Sequence, residues 1–266
     1  MASRRQVRAT RWPQPSKVTG QPRQTPRVAQ PALKSPDSLA VLAYDRIEDL
    51  IVHCRVAPGV LMTMQHLQDL VEIGRTPVHQ AIRRLAAETL IQIRPRDGLR
   101  ISPIDLKRDR RLLQLRREMD RFVAELATEK LDANQRNQLM RLGTTMRERR
   151  KAMDVHEFNS YDRQIDAILL AAAAEPFLDR TLRPLHTIFR RAGHIHLTHL
   201  GGARGLLKTI DCHMALVSAV VDRDESAAKA SSDALVDFAQ SMFDGLEGNI
   251  EPHLLDAAVG SGSTRS

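Results

Sequence analysis

Aromatic side chains are scarce in this 266-residue chain, which has one Trp, two Tyr and six Phe, or 3% of its residues. Binding to single strands by stacking bases on exposed rings is therefore poorly supported. Cysteine is scarcer still: Cys54 and Cys212 stand far apart in sequence and read as reduced thiols of a cytoplasmic protein, in different domains. No run of eighteen apolar residues occurs, so no transmembrane helix is expected. The basic N-terminus runs into Pro-rich, polar residues instead of an apolar core, which argues against a signal peptide.

Acidic residues are absent from positions 1–36, which carry six prolines and eight basic residues (Arg4, Arg5, Arg8, Arg11, Lys17, Arg23, Arg27 and Lys34). Of the 40 Lys and Arg in the chain, the other 32 balance the 32 Asp and Glu, so the net charge of +8 belongs to this segment. A disordered basic tail over 1–36 is expected. It serves solubility or adds salt-dependent affinity for a nucleic acid backbone. The remaining length has room for a small domain and a larger one, each with its own core.

Against that neutral background, one stretch stands out: Gly74-Arg75-Thr76-Pro77-Val78-His79-Gln80-Ala81-Ile82, continuing through Arg83-Arg84-Leu85. Pro77 fits only the first turn of a helix, so the helix begins near Gly74 to Thr76. At helical spacing Val78, Ala81, Ile82 and Leu85 share an apolar face, while Arg75, Thr76, His79, Gln80 and Arg83 share the opposite one. Long donors on that face can reach phosphates and base edges. Upstream, Met64, Leu67, Leu70 and Val71 mark a second short helix joined by a tight turn, which together read as a helix-turn-helix. Downstream, Leu90 to Ile93 and Leu99 to Ile101 read as two strands around the turn Arg94-Pro95-Arg96-Asp97-Gly98.

In this order the pieces resemble the winged helix-turn-helix of the GntR family of bacterial transcription regulators. The resemblance runs from Tyr44 to Pro103. It rests on Ala57-Pro58-Gly59, Leu67, Arg75-Thr76-Pro77-Val78, Ala81, Arg84-Leu85, Glu88, Leu90 and Gly98. It implies that Arg75 reads guanine, that Thr76 and Gln80 reach base edges or phosphates, and that His79, Arg83 and Arg96 hold the backbone. Gly98 lets the wing approach the minor groove. Three positions depart from the family: Glu72 stands where Gly is usual in the turn, Gly74 where Ser caps the helix, and His79 where Arg is usual.

Past Pro103 no strand signal remains. Helical patterns cover about 105–130 (with Leu112, Leu115, Met119, Phe122, Val123 and Leu126), 132–153, 161–174, 177–199 with a bend at Pro184, 206–221 and 225–247. Gly201 to Gly205 reads as a loop. Six antiparallel helices make an all-α bundle. The chain is thus expected to be mainly α: a basic tail at 1–36, a winged helix-turn-helix with a two-stranded wing at 37–103, an all-α bundle at 104–249, to which the family resemblance assigns effector binding and dimerisation, and a flexible tail at 250–266.

The second half resembles the FadR-type ligand domain of the same family through Arg116 with Asp120, Asp162-Arg163, Glu175-Pro176-Phe177-Leu178, His213 and Ala227-Ala228. Many relatives hold a metal there with an Asp, a His four residues on, another His and a last His. These positions fall on Asp162, Asp166, His213 and Leu235. Asp162 and Asp166 share a helix face and with His213 could bind a divalent cation weakly. The alternative pairs Asp162 with an arginine such as Arg116, and leaves His213 a hydrogen-bonded core residue. No zinc or nickel is expected to be retained, since two of three family histidines are missing. His194, His196 and His199 do not share a helix face and read as surface residues. The resemblance implies a homodimeric repressor of double-stranded DNA whose bundle takes a small carboxylic acid at Arg116, Asp162, Asp166 and His213. Its rivals are a constitutive DNA binder with a degenerate pocket, and a metal-dependent enzyme with a DNA-targeting head.

Overall fold

The computed structural model describes residues 36–260. Apart from Pro36, the basic tail lies outside the described residues. The head opens with α1 (Pro36–Val52), followed by β1 (Leu61–Met62), α2 (Met64–Val71), α3 (Arg75–Ala87), β2 (Ile91–Arg94) and β3 (Gly98–Ile101). Its core is built from Tyr44, Ile47 and Ile51 of α1, Leu67 of α2, and Val78, Ala81, Ile82 and Leu85 of α3. The last four are the apolar face expected from the helical spacing. Thr63 caps α2 by accepting a hydrogen bond from the His66 N–H.

The wing has three strands, not two. Its order is β1-β3-β2, all antiparallel, with Leu61 opposite Arg100 and Ile93 opposite Leu99. A two-residue strand carries no alternation to read, so β1 is defined by its pairing and not by its own pattern. That pairing also explains Gly98: its φ is +95°, and a Cβ there would lie 2.7 Å from the Met62 carbonyl oxygen. In the turn between α2 and α3, Glu72 takes the left-handed conformation at φ 54°, which for a non-glycine residue costs roughly 1–2 kcal/mol. A glycine, as the family resemblance leads one to expect in this turn, would carry no such cost.

The bundle comprises α4 (Leu106–Lys130), α5 (Ala133–Arg149), α6 (Val155–Ala173), α7 (Pro176–His196), α8 (Gly202–Val221) and α9 (Glu225–Leu246). Asp105, Asp132, Asp154 and Asp224 begin four of these helices, each accepting an N–H from three residues on, which satisfies donors the helix cannot. Helix α7 runs through Pro184. No loop follows it: a π-helical turn over Leu197–Gly201 leads directly into α8. Leu139, Met146, Ile165, Leu182, Ile210, Val236 and Phe243 are among the residues filling the bundle core. Leu115 and Phe122, expected on the buried stripe of α4, are each 48% exposed.

The C-terminal segment departs most from expectation. Instead of a loose tail from 250, two short helices, α10 (Pro252–Leu255) and α11 (Ala257–Gly260), return to the head. The Ile104 N–H donates to Leu255 O at 2.9 Å, and the Ala257 N–H to Pro58 O at 2.7 Å. Arg100 Nη2 sits 2.8 Å and 2.9 Å from the two Asp256 carboxylate oxygens. Gly59, at φ +77°, makes room: a Cβ there would stand 1.8 Å from Asp256 Oδ1. Residues 261–266 lie outside the description.

Candidate functional site

Two places in the molecule gather the residues singled out by sequence. The first is the outer face of α3. Arg75, Thr76, His79, Gln80 and Arg83 are all exposed, because the four apolar residues between them are held in the head core. Among the described residues none of the five side chains has a hydrogen-bond or ion-pair partner. Their neighbour Arg84 differs: its Nε donates to Glu88 at 2.9 Å, and its guanidinium lies 3.8 Å above the Tyr44 ring. At the wing tip Arg96 is exposed, with φ 73°. The α3 face thus presents two guanidinium groups with unused donors beside neutral donors and acceptors. Such a face can hold phosphates and read base edges at once.

The second place lies inside the bundle, where α4, α6, α7 and α8 meet. Asp162 and Asp166 do share a face of α6, but their cation is Arg190 of α7. Its Nε donates to Asp162 Oδ2 at 2.7 Å and its Nη2 to Asp166 Oδ2 at 2.5 Å. Arg116, the partner expected for Asp162, instead donates to Asp120 at 2.8 Å. Asp120 also faces His186 Nε2 at 2.8 Å, while His186 Nδ1 lies 3.0 Å from Asp166. His213 closes the set, with Nε2 2.8 Å from Asp162 Oδ1 and Nδ1 2.7 Å from the Thr209 carbonyl. Leu235 lines the same cavity, which has a volume of about 50 Å³.

Electrostatics follow from this packing. Burial alone would lower the pKa of His186, but the Asp166 and Asp120 carboxylates outweigh it and raise the ring to about 9. Burial would raise Asp120, yet His186 and Arg116 hold it at about 2. Asp162 is likewise held far below the usual carboxylate range by Arg190 and His213, against the desolvation that opposes it. His213 is raised by Asp162, again against burial. These pairs are self-neutralising, as buried charges must be.

The metal that the family resemblance implies does not fit this arrangement. A guanidinium already bridges the two carboxylates, both ring nitrogens of His213 and Nε2 of His186 face protein oxygens within 2.8 Å, and Leu235 offers no ligand atom. Sequence reasoning missed Arg190. Its signal was available: His186 and Arg190 stand four apart on α7, matching the four-residue spacing of Asp162 and Asp166 on α6. The His194 cluster also needs correcting, since His194 and His196 are half-buried and only His199 is exposed. Burial, reinforced by nearby His53, pushes His194 down to about 4.

Residues 39–101 match the family model described as bacterial regulatory proteins, gntR family, and residues 111–238 match the FCD domain. The chain belongs to the GntR family. It is a transcription regulator with an N-terminal helix-turn-helix domain and a C-terminal FCD domain. Over 193 residues it is 25% identical to the HTH-type transcriptional repressor RspR of Escherichia coli strain K12, a stretch covering 72% of this chain and 83% of that one. Among solved structures, E. coli McbR/YncC covers 79% of this chain and 99% of its own, with a TM-score of 0.69 at 15% identity. A GntR transcriptional regulator from Rhodococcus sp. RHA1 covers 78% and 98%, with a TM-score of 0.59 at 15% identity. Both structures share the fold. The families and relatives are DNA-binding regulators, not enzymes, which sets aside the enzyme reading.

Proposed function

We propose that this GntR regulator is a homodimeric cytoplasmic repressor, which binds a palindromic operator and is released when a small organic acid enters the bundle. The observation that carries the proposal is the double face of α7. On one side, His186 and Arg190 belong to the buried charge set. On the other, Thr187 donates to the buried Glu48 of α1, Ile188 packs on the head core, and Arg191 Nη1 donates to Ser102 O at 2.6 Å. Arg163, next in sequence to Asp162, reaches Glu48 at 2.9 Å. A carboxylate competing for Arg190 or Arg116 takes a guanidinium from its aspartate, and any resulting shift of α7 is felt by the head. One element biased by two sites is what effector control of DNA affinity requires.

At the DNA, Arg75 reads guanine, with Thr76 and Gln80 at neighbouring edges, while His79, Arg83 and Arg96 hold phosphates and the Gly98 turn approaches the minor groove. Leu115 and Phe122, seven apart on one exposed face of α4, suit burial against a second copy, and two heads then match two half-sites. The relative named a repressor supports the sign of regulation. The bundle effector binds through Arg116, Asp162, Asp166 and His213, together with His186 and Arg190, without a bundle metal.

The test is fluorescence anisotropy on genomic fragments selected by the protein, repeated with a panel of short-chain organic acids. One acid class should weaken DNA binding in the wild type and lose that effect in Arg116→Gln. The fully paired charges and the small cavity favour a second reading, in which the protein binds DNA constitutively. If no acid changes affinity, that second reading stands and effector control falls.

A further inference from the structure

Where the head meets the bundle, a group of metal-ligating side chains lies outside both sites described above. Asp49 and His53 stand four residues apart on α1, and His156 lies in the first turn of α6. One ligand atom from each can be chosen so that all lie within 4.8 Å of one another. His53 Nδ1 is 3.0 Å from the Asp49 carboxylate and 3.0 Å from the Asp49 carbonyl oxygen. That is the outer carboxylate contact that fixes the proton of a metal-binding histidine on one nitrogen and frees the lone pair of the other. His53 Nε2 lies 3.2 Å from His156 Nδ1 and accepts from the Asn159 side-chain amide at 3.2 Å, a contact that an ion bound there would replace. Two ligand nitrogens in a tetrahedral zinc site, at metal distances of about 2.0–2.1 Å, are separated by roughly 3.4 Å.

Two further observations point to a ligand. His194 of α7 stands edge-on to His53 with ring centroids 5.3 Å apart, and its Nδ1 is buried with no hydrogen-bond partner among the described residues. The group also borders a cavity of about 120 Å³ lined by Asp49, His53, His156 and Asn159, and by Arg163 and Arg190, whose charges are taken up by carboxylates; this is room for an ion and its waters. The nearest opposing cation is Arg55, 3.6 Å from the second Asp49 oxygen, with a side chain 55% exposed and free to turn toward water.

We propose that His53 and His156, with Asp49 as the carboxylate behind His53, form a divalent transition-metal site that ties the head helix α1 to the bundle helix α6. A pair of imidazole nitrogens suits zinc, cobalt or nickel, and offers no oxygen ligand of the kind calcium or magnesium needs. Occupancy pins α1 against α6, so the metal fixes how the head is held. Any effect on DNA affinity rests on the regulatory reading, but metal binding itself does not.

The experiment is a Co²⁺ titration of the chelator-stripped full-length protein without DNA, followed by visible absorption and thermal melting. Wild type should bind one equivalent per chain with a tetrahedral cobalt spectrum and a raised Tm. His156→Ala, at an exposed position, should fold normally by circular dichroism and bind at least about tenfold more weakly. His53→Gln should lose the spectrum as well, while His213→Gln should keep it. The proposal is overturned by absence of binding in the wild type, by unchanged binding in His156→Ala, or by a spectrum lost in His213→Gln and retained in His156→Ala.

Discussion

Arg75 and Arg83 of α3 and Arg190 of the bundle differ in one respect, and it separates their roles. Arg75 and Arg83 are exposed and, among the described residues, have no protein partner. Arg190 is buried, and both its Nε and Nη2 are committed to carboxylates. A guanidinium with unused donors awaits an external anion, whereas a paired one inside the fold holds two aspartates together. The same residue type is thus a recognition element in one region and an internal cation in the other. The difference comes from what surrounds each helix. Val78 and Ile82 turn their helix so that Arg75 and Arg83 face outward, while Asp162 and Asp166 meet Arg190 across the bundle.

The largest effect should come from breaking the paired set. Arg190→Met leaves Asp162 and Asp166 buried without their shared cation, and should cost about 3–5 kcal/mol of folding stability. Arg83→Ala on the open face should change stability by no more than about 0.5 kcal/mol. Urea unfolding of both variants checks the contrast, and equal midpoints would remove it.

A pH scan sharpens the same comparison. His186 has its folded pKa raised from 6.5 to about 9. Its stabilisation is therefore complete below pH 6.5 and is lost as the pH rises through about 9. Relative to His186→Gln, wild type should lose on the order of 3 kcal/mol over that window. Parallel stability curves for the two proteins would show that the ring carries no extra proton in the fold.

On the recognition side, Arg75→Ala should weaken operator binding by about 1–3 kcal/mol and relax base preference, if its fork reads guanine. Arg83→Ala should weaken operator and scrambled DNA alike, because a phosphate contact carries no sequence information. An unchanged operator-to-scrambled ratio in Arg75→Ala would assign the reading to another residue.

How much of this was legible in sequence depended on the range of the interactions. Helix α3 could be read from Pro77 and the spacing of Val78 to Leu85, since both signals lie within a few turns. The departures at Glu72 and Gly74 marked the turn itself. Strand β1 was not legible, because two residues have no period and Leu61 acquires its role from Arg100 across the sheet. Helices α10 and α11 were hidden for the same reason: Asp256 is fixed by Arg100, 156 positions earlier. In the bundle, the family resemblance singled out Asp162, Asp166 and His213, which lie together in the fold. The cation between them was not, because Arg190-Arg191 reads locally as a solvated pair on a helix.

The smallest effect belongs to His79, which shares the open face with Arg75 and Arg83 but has a ring where the family resemblance leads one to expect a guanidinium. It is exposed, and among the described residues no carboxylate or carbonyl engages it, so a substitution there disturbs no internal contact. His79→Arg adds a permanent charge and a planar fork of donors at a position already facing outward. If that position meets a phosphate, affinity should rise by up to about 1 kcal/mol for operator and scrambled DNA together. The plot of log affinity against log salt should also steepen by about 0.9, the value for one more neutralised phosphate. Stability should be unaffected, in contrast to any change at Arg190. Anisotropy titrations at three or four salt concentrations measure both quantities. A gain confined to the operator would move His79 from the backbone to a base edge. An unchanged slope would mean that it faces no phosphate and that the DNA lies further toward Arg75.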